Sequence, residues 1–193
     1  MRLFVAVPLP TDVQQSLGRL QGGIPGARWT RPENMHLTLR FLGDVSERDA
    51  HHVDDALDAI DEGAFEMALS GVGVFESRHG PRALWIGVEP NPPLMHLQDK
   101  VERAIQMLGY PPEPRKFTPH ITLARFKSRP GRKIGDFIEA HGLYRTGHFA
   151  VESFTLFQSL TGNEAPHYIP LAEYDLLGNA GVGADAGSAV ARA

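Results

Sequence analysis

The sequence predicts an α/β (α+β) protein of two similar lobes around a central cleft. Three observations predict it. Short apolar or alternating runs are interleaved with stretches of helical period. The order βαβαβ occurs twice, with one extra strand at the end, which implies an internal duplication. The third element of each half opens on the same pattern of His, apolar, Thr and Leu, at residues 36–39 and 120–123, 84 residues apart.

Leu3 to Val7 is a short apolar run before a Pro-Leu-Pro turn and reads as a buried strand. Thr11 opens a helix with Val13, Leu17 and Leu20 on one face, ended by Gly22, Gly23, Pro25 and Gly26. Trp29 to Asn34 is polar, contains Pro32 and reads as a loop. His36 to Leu42 alternates as a strand does, and Ser46 starts a second helix with Val53, Leu57 and Ile60 inward. Phe65 to Phe75 is a strand with a break expected at Gly71.

The second half opens with a strand from Ala83 to Val88. Pro92 and Pro93 precede a helix carrying Leu94, Leu97, Val101, Ile105 and Leu108, with Gly109 as its stop. A Pro-rich loop, Tyr110 to Pro114, leads to a strand from His120 to Phe126. Lys133 to His141 forms a helix, and His148 to Gln158 and Tyr168 to Leu176 finish as strands. The lobes divide at about residues 1–80 and 81–177, with room for terminal strands to exchange, and 178–193 is a Gly- and Ala-rich tail with no core role.

Composition narrows the function. The chain has 193 residues, 42% of them apolar and 22% charged, which excludes bulk disorder. No apolar run reaches membrane-spanning length, and the five apolar residues after Arg2 are too few for a signal-peptide core. With no Cys there are no disulfides, thiolate metal sites or Cys nucleophile, which suits the cytoplasm. A net charge of −4 cannot by itself hold long nucleic acid, but a local basic cleft can hold one end of it.

The repeated motif carries the chemistry. One His-x-Thr would be unremarkable; two with an apolar x and a following Leu arise by composition roughly once in several thousand. On a strand, His36 and Thr38 share one face while Leu37, Leu39 and Phe41 take the other. His120 and Thr122 do the same, opposite Ile121 and Leu123. A two-fold relation between the halves would bring two imidazoles and two hydroxyls to one cleft. That set suits in-line displacement at phosphorus: a neutral imidazole takes a proton from the attacking oxygen, an imidazolium gives one to the leaving oxygen. The Thr hydroxyls donate to the non-bridging oxygens, and no metal or other cofactor is needed. General acid–base help of about 10²–10⁴-fold favours a strained phosphodiester, of which a 2′,3′-cyclic phosphate is one.

By alternation Arg40 lies on the His36 face, whereas Arg125 faces away from His120 unless the strand ends or twists there. Trp29, Phe117 and Tyr168 are candidates for stacking a nucleobase. Arg28, Arg31, Arg115, Lys116, Arg125, Lys127, Arg129, Arg132 and Lys133 flank the motifs and would form a positive rim. His51 and His52 with Asp54 and Asp55 converge too poorly on a helix for a metal site. No phosphate-binding Gly-x-x-x-x-Gly-Lys loop is present.

The chain resembles the 2H phosphoesterase superfamily, and within it the bacterial and archaeal RNA 2′,3′-cyclic phosphodiesterases, also called 2′-5′ RNA ligases. The resemblance runs from about Arg2 to Leu176 and is carried by residues 2–7, 29–43 and 117–125. It implies duplicated βαβαβ lobes with antiparallel-rich sheets around the cleft, related by a pseudo-two-fold axis. It implies hydrolysis of RNA 2′,3′-cyclic phosphate ends, tRNA halves among them, to 2′-phosphate ends. A cytoplasmic monomer is expected, and the sequence implies no protein partner. A feeble, reversible 2′-5′ joining comes with it. His36 would be the proton donor, His120 the acceptor, and Arg125 a phosphate ligand. The near-symmetric motifs do not themselves distinguish donor from acceptor. A non-catalytic module for RNA ends, a metal-dependent hydrolase, and a 2H enzyme for another cyclic phosphate are the competing readings.

Overall fold

The computed structural model describes residues 1–78, 80–127, 131–160 and 166–177. The tail expected at 178–193 lies outside the described residues. The strands are β1 (Arg2–Pro8), β2 (Ala27–Trp29), β3 (His36–Asp44), β4 (Phe65–Met67), β5 (Leu69–Ser77), β6 (Gly80–Val88), β7 (His120–Phe126), β8 (Phe149–Val151), β9 (Ser153–Leu160) and β10 (His167–Asp175). The helices are α1 (Thr11–Gly18), α2 (Glu47–Asp58), α3 (Pro92–Met107) and α4 (Lys133–His141).

Local chemistry sets the helix ends. Ser46 accepts a hydrogen bond from the Asp49 amide at the start of α2, and the Asn91 side chain accepts from Leu94 at the start of α3. Pro92 suits the first turn of α3 because its missing N–H would be unpaired there. Past α3, Gly109 takes φ +90°, which stops the helix and turns the chain. Among the described residues no helix is long and apolar enough to cross a membrane.

The main sheet has the order β10-β9-β1-β3-β7-β6-β5, with β2 added on β7, and every pairing is antiparallel. The duplication is visible in that order. Setting β1, β3 and β5 against β6, β7 and β9, the path reads the same from either side of the β3–β7 junction. The third strand of each half crosses over: β5 pairs with β6, and β9 with β1. The short β4 and β8 pair with each other, one from each half. At the centre, β3 and β7 meet at one register pair, Leu37 with Ile121, each directly after a motif histidine.

Leu3, Val5, Val7, Leu37, Leu39, Ile121 and Leu123 face the helices in one continuous core with Val53, Leu57, Leu97, Val101 and Ile105. The opposite face of β1, β3 and β7 is left for the cleft.

Three expectations for local structure change. The strand expected from His148 to Gln158 divides at Glu152 into β8 and β9. Trp29 ends a strand rather than opening a loop, because the peptide before Thr30 pairs with β7. The strand expected from Phe65 to Phe75 breaks at Ala68, between β4 and β5, and is irregular again between Leu69 and Val72, where Gly71 has φ +75°.

Candidate active site

His36 and His120 each begin a strand, and each imidazole is held the same way. His36 Nδ1 donates to the carbonyl of Asn34 at 2.8 Å, and His120 Nδ1 to that of Thr118 at 2.7 Å. The acceptor is two residues upstream in both. Holding the proton on Nδ1 leaves Nε2 as the nitrogen available for chemistry.

Aromatic rings back each imidazole. His36 lies 4.8 Å from Phe4 and 5.1 Å from Tyr168, edge to face with the latter. His120 lies 4.7 Å from Phe75 and 6.4 Å from Trp85. Burial among these rings pulls the pKa of both below the ordinary imidazole value, that of His36 to about 4. The backbone hydrogen bonds oppose the shift, and the nearby Arg125 guanidinium adds to it for both.

The two histidines open into one cleft of about 430 Å³, together with Thr38, Thr122, Arg125 and Tyr168. Asn34, Thr30, Phe41, Gly43, Ser159 and Arg2 complete much of its wall. Asn34 also donates from its side chain to the Pro166 carbonyl at 2.9 Å, tying the loop before His36 to the approach of β10.

The fate of the two arginines turns on one residue in each strand. In β3, Val5 pairs with Arg40 and Ala6 with Thr38, so Leu39 has no partner on β1. In β7, Leu84 pairs with Ala124 and Trp85 with Thr122, so Leu123 has no partner on β6. Each is a β-bulge, and a bulge reverses the alternation beyond it. Arg40, expected beside His36, is therefore turned to the helix side and is 7% exposed. There it meets Glu102 at 2.9 Å and Glu113 at 3.0 Å, and donates to the Pro111 carbonyl. Arg125 is turned the opposite way, into the cleft. The residue of the first half equivalent to Arg125 is Phe41, not Arg40.

Three further expectations do not meet at the cleft. Trp29 packs 5.7 Å from Phe137 of α4, and Phe117 is half-buried against the core; neither lines the cleft. Of the nine cations flanking the motifs, Arg125 alone among the described residues lines it; Arg129 lies outside the described residues. Among the dismissed metal candidates, Asp54 accepts a hydrogen bond from the Tyr174 hydroxyl at 2.7 Å and serves the core.

Arg2, Asn34, Phe41 and Ser159 are cleft residues that sequence reasoning missed. A signal for Phe41 existed in the repeat, since it stands 84 residues before Arg125. No local pattern marks Arg2 or Ser159, which reach the cleft through strand pairing.

Residues 7–85, and again 86–168, match the family described as LigT like Phosphoesterase. An RNA 2′,3′-cyclic phosphodiesterase of Archaeoglobus fulgidus is 30% identical over 178 residues, covering 91% of this chain and all of that protein. One of Thermotoga maritima is 31% identical, covering 90% of this chain and 94% of that protein. Among solved structures, TT0787 of Thermus thermophilus superposes with a TM-score of 0.78 at 27% identity, over 93% of this chain and 100% of that one. E. coli LigT complexed with 3′-AMP gives 0.74 at 27% identity, over 91% and 97%.

Proposed function

We propose, from the premise that this chain belongs to the LigT-like phosphoesterase family, that it hydrolyses RNA 2′,3′-cyclic phosphate ends to 2′-phosphate ends by two-histidine acid–base catalysis. The observation that carries this reading is the matched pair of imidazoles, each tethered through Nδ1, opening with Arg125 into one cleft. The curated relatives of similar length are RNA 2′,3′-cyclic phosphodiesterases, which supports RNA ends as the substrate.

In this mechanism the cyclic phosphate sits between the histidines. His120 Nε2 takes a proton from water as its oxygen bonds to phosphorus. The bond from phosphorus to the ribose 3′ oxygen breaks, and His36 Nε2 delivers a proton to that oxygen. The products are a 2′-phosphate and a 3′-hydroxyl. Thr38 and Thr122 donate to the non-bridging oxygens, and Arg125 balances their charge. Burial and Arg125 favour neutral imidazoles in the free protein. A bound phosphodiester offsets the Arg125 charge and adds an anion, so substrate binding itself helps His36 acquire the proton it must give.

A 5′-hydroxyl in place of water gives weak, reversible 2′-5′ joining by the same steps. Water, far more concentrated, makes hydrolysis dominant. The reading places a monomer in the cytoplasm acting on RNA ends such as tRNA halves.

The test is phosphorus NMR of an RNA oligomer ending in a 2′,3′-cyclic phosphate, with EDTA present. Wild type is expected to yield a 2′-phosphomonoester, and His36→Ala and His120→Ala to be slower by about 10²-fold or more. Folded wild type that leaves the cyclic phosphate intact would overturn the reading.

A further inference from the structure

We propose that the cleft contains a second phosphate subsite at Arg2, with Phe41 as a platform for the terminal base. The protein would then select nucleotides that carry a 5′ phosphate or phosphodiester over bare nucleoside 2′,3′-cyclic phosphates. This rests on the reading above, which puts the reacting phosphate between His36 and His120.

Two arginines line the cleft, and they stand on different strands. The charge of Arg125 reaches His36, His120 and Tyr168. The charge of Arg2 also reaches Tyr168. Arg125 stands on β7 just past the second motif, whereas Arg2 stands at the start of β1, so we assign Arg125 to the reacting phosphate and Arg2 to a separate position on the cleft wall. A lone cyclic phosphate brings one anion and satisfies one of these cations. An RNA end brings two, because its terminal nucleotide is joined through a 5′ phosphodiester.

Strand pairing builds the second position. Leu3 pairs with Gln158, and Tyr168 with Ser159, so Arg2, Ser159 and Tyr168 form one row across β1, β9 and β10. All three line the cleft. Arg2 is exposed and, among the described residues, forms no ion pair, although Asp44 is its backbone partner on β3. It is thus free to take a phosphate in the forked geometry guanidinium groups favour.

Phe41 lies between the two positions along β3. The bulge at Leu39 turns it out of the core, and it is 56% exposed, with its ring 5.9 Å from Phe4. Phe4 in turn touches both His36 and Tyr168. The exposed ring lines the cleft beside Phe4 and offers a flat apolar surface to a ligand there. Any nucleobase can stack on it without sequence preference.

The test compares adenosine 2′,3′-cyclic phosphate, its 5′-phosphorylated form, and the dinucleotide ApA ending in the cyclic phosphate. Turnover is measured for wild type, Arg2→Gln and Phe41→Ala. Affinity for the products, adenosine 2′-phosphate and ApA 2′-phosphate, is measured in parallel by calorimetry. Wild type is expected to favour the two 5′-substituted substrates by about tenfold or more in kcat/KM, and ApA 2′-phosphate by a similar factor in affinity. Arg2→Gln is expected to bring both ratios close to one. Phe41→Ala is expected to weaken all adenine ligands by about fivefold to tenfold while keeping the ratio. Equal handling of substrates with and without a 5′ phosphate by wild type, or an unchanged ratio in Arg2→Gln, would overturn the subsite. If no substrate turns over, the hydrolysis reading fails, and the affinity ratio still decides for or against Arg2.

Discussion

Arg125 and Phe41 hold the same place in the two halves of this protein. They are 84 residues apart, each stands two residues beyond a leucine that the adjoining β1 or β6 skips, and each is turned to the cleft by that leucine's bulge. The cleft is therefore symmetric in its histidines and threonines but polarised by the next cleft-facing residue on each strand. At that place β7 carries a charge and β3 an exposed ring. A symmetric pair of acid–base groups cannot by itself orient an RNA end, and these two residues break the symmetry.

The opposite outcome for the two arginines can be measured. Arg125→Ala is expected to lower kcat/KM on an RNA cyclic phosphate by about 10²-fold, with Arg125→Lys recovering part of the loss. Arg40→Met is expected to act on stability, since Glu102 and Glu113 lose the cation between them on the helix side. The loss should be about 2–3 kcal/mol in urea unfolding, with kcat/KM of the folded protein nearly unchanged. Unchanged stability with lost activity would show that Arg40, not Arg125, serves the phosphate.

Burial of His36 predicts a pH dependence of stability. Its pKa is near 6.5 in the unfolded chain and about 4 in the folded one. Between those values the unfolded chain binds the proton more readily, so stability is full above pH 6.5 and falls as pH drops toward 4. His36 alone should contribute a loss of about 2–3 kcal/mol across that window, and His120 adds in the same direction. Urea unfolding at the two ends of the window measures it. His36→Gln should lose markedly less than wild type; an equal loss would place the titration elsewhere.

The indole of Trp85 depends on a glycine across the strand pair. A Cβ on Gly73 would come 2.3 Å from the Trp85 ring, which stands behind His120. Gly73→Ala must displace the indole and is expected to cost about 1–3 kcal/mol. It should also lower kcat, because His120 loses its backing. The double variant Gly73→Ala with Trp85→Leu should recover part of the stability. A fully active, fully stable Gly73→Ala protein would show that the indole does not position His120.

Much of the fold is legible because its signals are local. Ser46 and Asn91 cap their helices through contacts three residues away, and the spacing of Leu94, Leu97, Val101 and Ile105 reports the buried side of α3 directly. His36 with Thr38, and His120 with Thr122, follow from the two-residue period of a strand. Alternation fails first at Leu39 and Leu123. A bulge is a mismatch with a neighbouring strand, and nothing in the bulged strand announces it. Trp29 departs from expectation for a related reason: its stretch has the composition of a loop, yet it pairs with β7 and packs on Phe137.

The sequence alone therefore determined the duplication, the order of elements and the four motif residues, because each depends on near neighbours in the chain. Tertiary structure decided the rest. It exchanged β5 and β9 between the halves, placed Arg2 beside Ser159 and Tyr168, and sent Arg40 to the core and Arg125 to the cleft. Those outcomes depend on which strands pair and in what register. Register is fixed by apolar surfaces closing against one another over long separations, not by residues adjacent in the chain.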